Sequence, residues 1–321
     1  MLELRVGMGK KYIFTNLIGC FVFDEQVKSV DKVVFNDVND YYSREKHEQK
    51  LAEKHKAEKA EGKVLLNILE SFNDKKYFNE FQRRNILITK KHIRESVKQD
   101  QMIIQAVHLI NEIDKAVNIL SKKLRDWYEI YNPEFSNKIA DHERFSEIVI
   151  VKNKKDLLKE LGIKEDEAMG GEIEKEDLEM IKDLAKQTND IYKLRKQTEE
   201  YIDKKMDKVA PNIKAIAGSL IGAKLIDLAG SLERLMKFPA STLQLLGAEK
   251  ALFRHMRNKK IKPPKYGILH EHPLIQKMKL KDHGRAARAL ADKISIASKV
   301  DFFKGDFIGD KLKNEIEKRF S

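Results

Sequence analysis

The chain has 321 residues, 36% of them charged and 41% hydrophobic, with 63 Lys/Arg against 51 Asp/Glu and a formal net charge of +12. Its single cysteine, Cys20, excludes an intrachain disulfide, and no apolar run approaches the roughly 20 residues that a membrane-spanning helix needs. Six prolines and one tryptophan beside so much charge fit long helices with solvated flanks better than a β-sandwich.

The opening "MLELRVGMGKK" has no signal-peptide pattern, so an intracellular, cytoplasmic protein is expected. Within it, Gly7 to Lys11 is only a fragment of a dinucleotide motif and reads as a turn. "YIFTNLIGCFVFD" is rich in β-formers and predicts one or two strands, with Cys20 a buried small hydrophobe in them. "SREKHEQKLAEKHKAEKAEGK" predicts a charged helix ending near Gly62, and "VLLNILESF" continues as a buried helix. Residues 1–95 are thus expected to form a small α/β domain.

The clearest periodicity follows. Ile103, Ala106, Ile110, Ile113, Val117, Leu120, Leu124, Trp127 and Tyr131 repeat at 3,4 spacing, the pattern of a coiled-coil seam. Pro133 closes it. A less regular stretch with a break at Gly170-Gly171 leads to a second long helix from about Ile173 to Val209. Residues 96–206 therefore read as a long antiparallel coiled-coil hairpin. A two-helix hairpin alone buries little, which favours pairing with a second copy.

Residues 207–321 read as an all-helical domain. Pro211 suits a helix first turn, and Gly218 and Gly222, four apart, leave room for a close helix neighbour. "GSLIGAK" is one residue short of a phosphate-binding loop, and Leu225 stands where that loop needs a hydroxyl. From Asp207 onward there are 24 Lys/Arg and 12 Asp/Glu, leaving 39 of each before it, so the whole charge excess lies in this last third. Charge confined to one domain points to a polyanion, nucleic acid first, with an anionic membrane surface or solubility as the other readings.

"LLGAEKALFRHMR", Leu245 to Arg257, concentrates that signal. At about 100° per residue, Leu245, Ala248, Leu252 and Met256 share one side of a helix, for a core. Lys250, Arg254 and Arg257 share the other, with Phe253 beside them. Such a face suits phosphates and an exposed base, an acidic partner, or solvent alone. "NKKIKPPKYGILHEHPLIQ" reads as a loop carrying Lys259, Lys260, Lys262 and Lys265 beside Tyr266. The last predicted helix, "KDHGRAARALADKISIASKVDFF", bears Arg285 and Arg288 opposite an apolar side of Ala286, Leu290, Ile294 and Ala297. His270 and His272, with His255 or His283, lack a cysteine or a fixed carboxylate, so no metal site is expected. No Gly-rich cofactor loop follows a strand and no carboxylate pair stands in an acid–base context, so neither enzyme chemistry nor a bound cofactor is expected.

The segments from "PNIKAIAGSLIGAKLIDLAG" through "GAEKALFRHMR", "PPKYGILHEHPLIQ" and "GRAARALADKISIASKVDFF" resemble the Nop domain. "QDQMIIQAVHLINEIDKAVNILSKKLRDWYEIYNPEF" and "IEKEDLEMIKDLA" are similar to the coiled-coil segments of archaeal Nop proteins of box C/D guide ribonucleoproteins. The likeness is collinear over residues 95–321 and less sharp before them. It implies a non-catalytic scaffold for ribose 2′-O-methylation. Its Nop domain would bind box C/D guide RNA together with a small kink-turn-binding protein of ribosomal type. Its coiled coil would pair two scaffolds, and its N-terminal domain would hold fibrillarin, the methyltransferase that carries S-adenosylmethionine. By position, Gly247 to Arg254 is the family's joint surface. Gly247, Ala248, Glu249, Ala251 and Phe253 would meet protein. Lys250, Arg254, Arg257, Lys259, Lys260, Arg285 and Arg288 would meet RNA. In the related splicing-factor branch a His after the Tyr-Gly pair stacks on a splayed base; the matching position is His270, whose neighbours differ. A general coiled-coil nucleic-acid binder is the alternative that the residues alone leave open.

Overall fold

The apolar run beginning at Tyr12 breaks into two strands because the Asn16 carboxamide turns the chain, accepting hydrogen bonds from the Ile18 and Gly19 amides. A computed structural model describes residues 9–320, so Gly7 and Met8 of the expected N-terminal turn, like the opening segment, lie outside the described residues. The chain divides into two compact units, Met1–Val97 and Lys98–Ser321.

In the first unit β1 (Tyr12–Thr15), β2 (Gly19–Phe23), β3 (Ser29–Val34) and β4 (Glu58–Lys59) form a sheet of order β3-β2-β1-β4. Only β4 runs parallel to its neighbour. Every residue of β2 is buried, so its alternation divides two cores. Cys20 and Val22 pack with Phe35 and Leu51, and Phe21 and Phe23 pack with Ile68. Burial raises the Cys20 thiol pKa, as befits a small hydrophobe. β3 was not anticipated, because its Ser, Asp and Lys residues mask a short strand at the sheet edge.

Helices α1 (Val38–Tyr42) and α2 (Arg44–His55) follow β3. α2 ends seven residues before Gly62. Lys56 turns left-handed (φ 50°), and Glu58 and Ala60 donate to Lys11 and Ile13, drawing the chain into the sheet. Tertiary pairing overrides a good helical sequence here. α3 (Gly62–Ser71) is not a buried helix as expected: it buries Ile68 while Leu66 and Leu69 stay exposed. α4 (Lys75–Ser96) completes the unit.

The second unit opens with α5 (Gln99–Tyr131). Ile103, Ala106, Ile110, Ile113, Val117 and Leu124 are buried as the 3,4 spacing predicts. Past Val117 the seam moves: Ser121 and Tyr128 are buried, and Trp127 is exposed. A helix at 3.6 residues per turn drifts from a strict heptad, and the buried face follows the helix. The stretch expected to be less regular is helical, as α6 (Pro133–Lys138), α7 (His142–Val151) and α8 (Lys154–Leu161). Phe135, Phe145, Val149 and Leu157 cover the hairpin tip around Tyr128. Arg125 holds it, donating to Ser136 O (2.8 Å) and His142 Nδ1 (2.8 Å) while its guanidinium lies 4.4 Å from the Phe145 centroid. Burial first, then Arg125, lowers the His142 pKa and keeps that acceptor neutral.

α9 (Lys175–Val209) returns along α5 and leads into α10 (Pro211–Ala217), α11 (Ser219–Ala229), α12 (Leu232–Lys237) and α13 (Ala240–Leu245). Ile202 and Met206 pack with Ile213, Ala223 and Ile226, so one core runs across residue 206. Of the two paired glycines, Gly222 gives the close approach: an added Cβ would lie 2.8 Å from Met206 Cε. Gly218, at φ 79°, instead breaks α10 from α11. α14 (Glu249–Arg257), α15 (Pro273–Gln276), α16 (His283–Phe302) and α17 (Gly309–Phe320) complete the fold. Among the described residues, no helix is long and apolar enough to cross a membrane.

α10 begins on a buried carboxylate. Asp301 accepts from the Asn212 amide (3.1 Å), Asn212 Nδ2 (2.8 Å) and the Ile213 amide (2.9 Å). Asp301→Ala would orphan three buried donors and should cost roughly 3 kcal/mol, read as a lower urea midpoint with an unchanged slope.

Candidate nucleic-acid interface

The expected single helix from Leu245 to Arg257 is two helices. α13 ends at Leu245, and α14 starts at Glu249 after a turn through Gly247 at φ 89°. α14 has no core face: none of its residues is buried, and Met256 is 58% and Phe253 62% exposed. The side expected to face a core therefore leaves Met256 exposed and Leu252 only half-buried. What holds α14 is its root. The Gly267 amide donates to Gln244 O and the Ile268 amide to Leu246 O, both at 2.8 Å. A Cβ at Gly267 would lie 2.0 Å from Leu246 O, so only glycine allows this crossing. Glu249 closes the turn by accepting from the Gly247 amide at 2.7 Å. At the other end His255 Nδ1 meets Ile261 O.

Lys250, Arg254 and Arg257 project from this helix fully into solvent, followed by exposed Lys259, Lys260, Lys262 and Lys265. Among the described residues none of these seven cations forms an ion pair. Arg254 Nε makes only a 3.3 Å contact with Lys250 O. Some cations elsewhere in the same module are paired instead. Lys214 pairs with Asp203 and Asp207, Lys224 with Glu271, Lys237 with Glu233, and Lys293 with Glu315. The unpaired set spans sixteen consecutive positions, with Glu249 just before it, and forms an unneutralised positive edge.

The other expected residues are placed as follows. Ala248 and Ala251 are half-buried at the root of α14, while Gly247 and Glu249 are exposed. Arg285 and Arg288 are exposed on the first turns of α16, and Arg285 lies 3.4 Å from Asp282. No contact joins them directly to the α14 cations. The link is the loop between: a Cβ at Gly284 would lie 3.6 Å from Lys265 Cβ, and the Tyr266 ring is 5.8 Å from His283. His270 is half-buried with one ring face stacked on Tyr266 (4.7 Å, 16°), and Gln276 Nε2 donates to its carbonyl at 2.6 Å. His272 is committed to structure: Nε2 donates to Ile216 O at 3.0 Å and Nδ1 accepts from the Leu274 amide. Burial lowers the His272 pKa. Sequence reasoning weighed His283 only as a metal ligand and missed its burial. It is buried, donates from Nε2 to Met278 O at 3.0 Å, and leaves Nδ1 without a partner. Nothing in its spacing marks it, since a histidine at the start of a helix reads as surface.

Residues 109–321 match a family model described as "Nop: snoRNA binding domain, fibrillarin". The chain is 43% identical over 265 residues to an uncharacterized NOP5 family protein of Methanocaldococcus jannaschii, covering 76% of this chain and 64% of that protein. It is 34% identical to nucleolar protein 56 of Schizosaccharomyces pombe, over 75% of this chain and 54% of that protein. The chain thus spans less than two thirds of the length of these relatives. A crystal structure of a fibrillarin/Nop5p complex aligns over 96% of this chain and 98% of its own, at TM-score 0.46 and 22% identity.

A Val at position 247 would be forced to φ 89°, with its Cβ 3.3 Å from the Ile268 amide nitrogen. Gly247→Val should cost about 1–3 kcal/mol and loosen α14, seen as faster amide exchange in residues 249–257 while the core exchanges as before.

Proposed function

The chain belongs to the Nop family, and from that premise we propose that it is a non-catalytic scaffold of a box C/D ribonucleoprotein. The α14 edge grips guide RNA jointly with a kink-turn-binding protein of ribosomal type. The N-terminal unit holds fibrillarin, which brings S-adenosylmethionine and performs the ribose 2′-O-methylation.

The observation that carries the reading is the run of seven exposed cations without ion pairs between Lys250 and Lys265. Each can neutralise a phosphate and release a counterion without first breaking an ion pair. Exposed Phe253 and Met256 on the same helix favour a joint surface over a general nucleic-acid binder, because phosphates alone offer nothing for them to bury against. His270, already stacked on Tyr266, has a second ring face suited to a splayed base.

Stepwise reconstitution from RNA, kink-turn protein, this chain and fibrillarin, ending in a methylation assay, tests the whole. Lys250→Ala with Arg254→Ala should weaken ternary assembly and lower the log K against log salt slope by about 1.5. An unchanged slope would remove α14 from the RNA surface. RNA binding that ignores both protein partners would make the general binder the better account.

The hairpin supports pairing with a second copy. Leu109, Ile119, Trp127 and Ile130 on α5, with Met180, Leu194 and Tyr201 on α9, are exposed beside the buried seam. A dimer mass by light scattering at micromolar concentration is expected, falling to monomer in Ile119→Glu with Ile130→Glu. A monomeric native chain would refute the pairing.

A further inference from the structure

Three rings meet where the cationic loop reaches the start of α16. Tyr266 stacks on His270 (4.7 Å, 16°), and the buried His283 ring lies 5.8 Å from Tyr266 and 5.6 Å from His270. Hydrogen-bond partners fix both histidine tautomers, because a neutral imidazole donates from one nitrogen and accepts at the other. His283 Nε2 faces Met278 O, which can only accept, so Nε2 carries the proton and Nδ1 is an acceptor. That acceptor is buried without a partner. His270 Nδ1 lies 3.2 Å from Gln276 Nε2, and the same amide nitrogen donates to His270 O at 2.6 Å. An amide nitrogen can only donate, so His270 Nδ1 accepts and the His270 proton sits on Nε2. Among the described residues that Nε2–H has no acceptor. A donor without an acceptor therefore sits on a ring 5.6 Å from an acceptor without a donor.

We propose that His283 is the positioning residue for the base platform: when a base stacks on the free face of His270, the His270 ring turns and donates from Nε2 to His283 Nδ1, which fixes the platform. The inference rests on the reading of His270 as a base-stacking ring and names what holds that ring. At 5.6 Å between ring centres, side-chain rotation alone brings the two nitrogens into hydrogen-bond range. A base gains most from a ring that cannot turn, so its binding shifts the ring toward the bonded arrangement. The same arrangement satisfies a buried acceptor, which is destabilising to leave unpaired. His283 suits the task because its own ring is tied at Met278 and its backbone opens α16, whose first turns carry Arg285 and Arg288. The base platform and those guanidiniums then share one footing.

Affinity of the full chain for a box C/D guide RNA already carrying its kink-turn protein, with the splayed base intact or replaced by an abasic site, tests it. The native chain should prefer the intact RNA by about 10-fold, the scale of one base–aromatic stack. His283→Gln keeps a donor for Met278 O but has no acceptor at the Nδ1 position, and should cut that preference to about 3-fold or less, the loss of one hydrogen bond. His270→Phe keeps a stacking ring without the donor and should lose the same, and the double variant should lose no more than either alone. Additive losses would give the two residues separate roles and overturn the bond. A loss equal on both RNAs would be a structural effect and would also overturn it. An unchanged preference in His283→Gln overturns the positioning role while the reading of His270 stands. If the native chain shows no preference, the reading of His270 fails and this inference falls with it. Nitrogen NMR of the native chain needs no variant: the His283 Nδ1 resonance should move toward that of a hydrogen-bonded acceptor with intact RNA and not with abasic RNA, and no movement refutes the bond.

Discussion

A nine-residue helix that buries none of its side chains cannot hold its own position, and α14 is such a helix. Isolated helices of this length are marginal in water. Its place is set at its root, where Gly267 crosses Leu246 at a distance no side chain would permit and Gly247 adopts a left-handed turn. Because the anchoring is done largely by backbone, Lys250, Phe253, Arg254, Met256 and Arg257 are left for other molecules, while Ala251, Leu252 and His255 stay half-buried. A helix packed by an apolar face would have surrendered Leu252 and Met256 to the core and presented cations alone. Rooting by backbone lets one short element show charge on one side and apolar surface on the other.

The same division governs the electrostatics. The helical module does not carry its excess charge evenly. Lys214, Lys224 and Lys293 are matched by carboxylates of neighbouring elements and Lys237 by Glu233 one turn before it, while the edge from Lys250 to Lys265 is preceded in sequence by Glu249, whose carboxylate is turned back to the Gly247 amide. Exposed ion pairs contribute little stability each, so those lysines are cheap structural links. An unpaired row is different, because its mutual repulsion is a standing cost relieved only when a polyanion arrives. Of the groups whose proton affinity burial has moved, Tyr128, His142, His272 and Asp301 all lie elsewhere in the second unit. Three of them hold helix ends or the hairpin tip through the contacts described, and Tyr128 lies in the tip core. Their shifts are by-products of packing.

What the sequence made legible follows from where the period was enforced by a core. α16 was readable to within two residues at each end, and α5 at its end though it starts four residues before Ile103, because one continuous face of each is buried. Even there the seam of α5 slipped from Trp127 to Tyr128, since no supercoil over the whole length held it to 3.5. α14 was misread for the opposite reason: its amphipathic pattern is real, yet no core lies under it, and the pattern belongs to partners. β3 and the early end of α2 were hidden because strand pairing set them, and pairing between distant segments leaves little trace in local composition. The cations of the candidate edge were legible as charge, but their lack of acidic partners was not, because pairing is a property of the folded surface. His283 was invisible on both counts.

The two units present different chemistry. The helical module shows a row of unpaired cations on a thin apolar base, and the N-terminal unit shows an aromatic cluster around Phe72 with Phe78 and Phe81 exposed beside it. Charge contacts form at a distance and are weakened by salt, which favours rapid and adjustable capture of a polyanion. Aromatic contacts form only on close fit and release slowly. On the proposed function, a chain that keeps one protein while engaging a nucleic acid gains from carrying the slow contact and the steerable contact on different units.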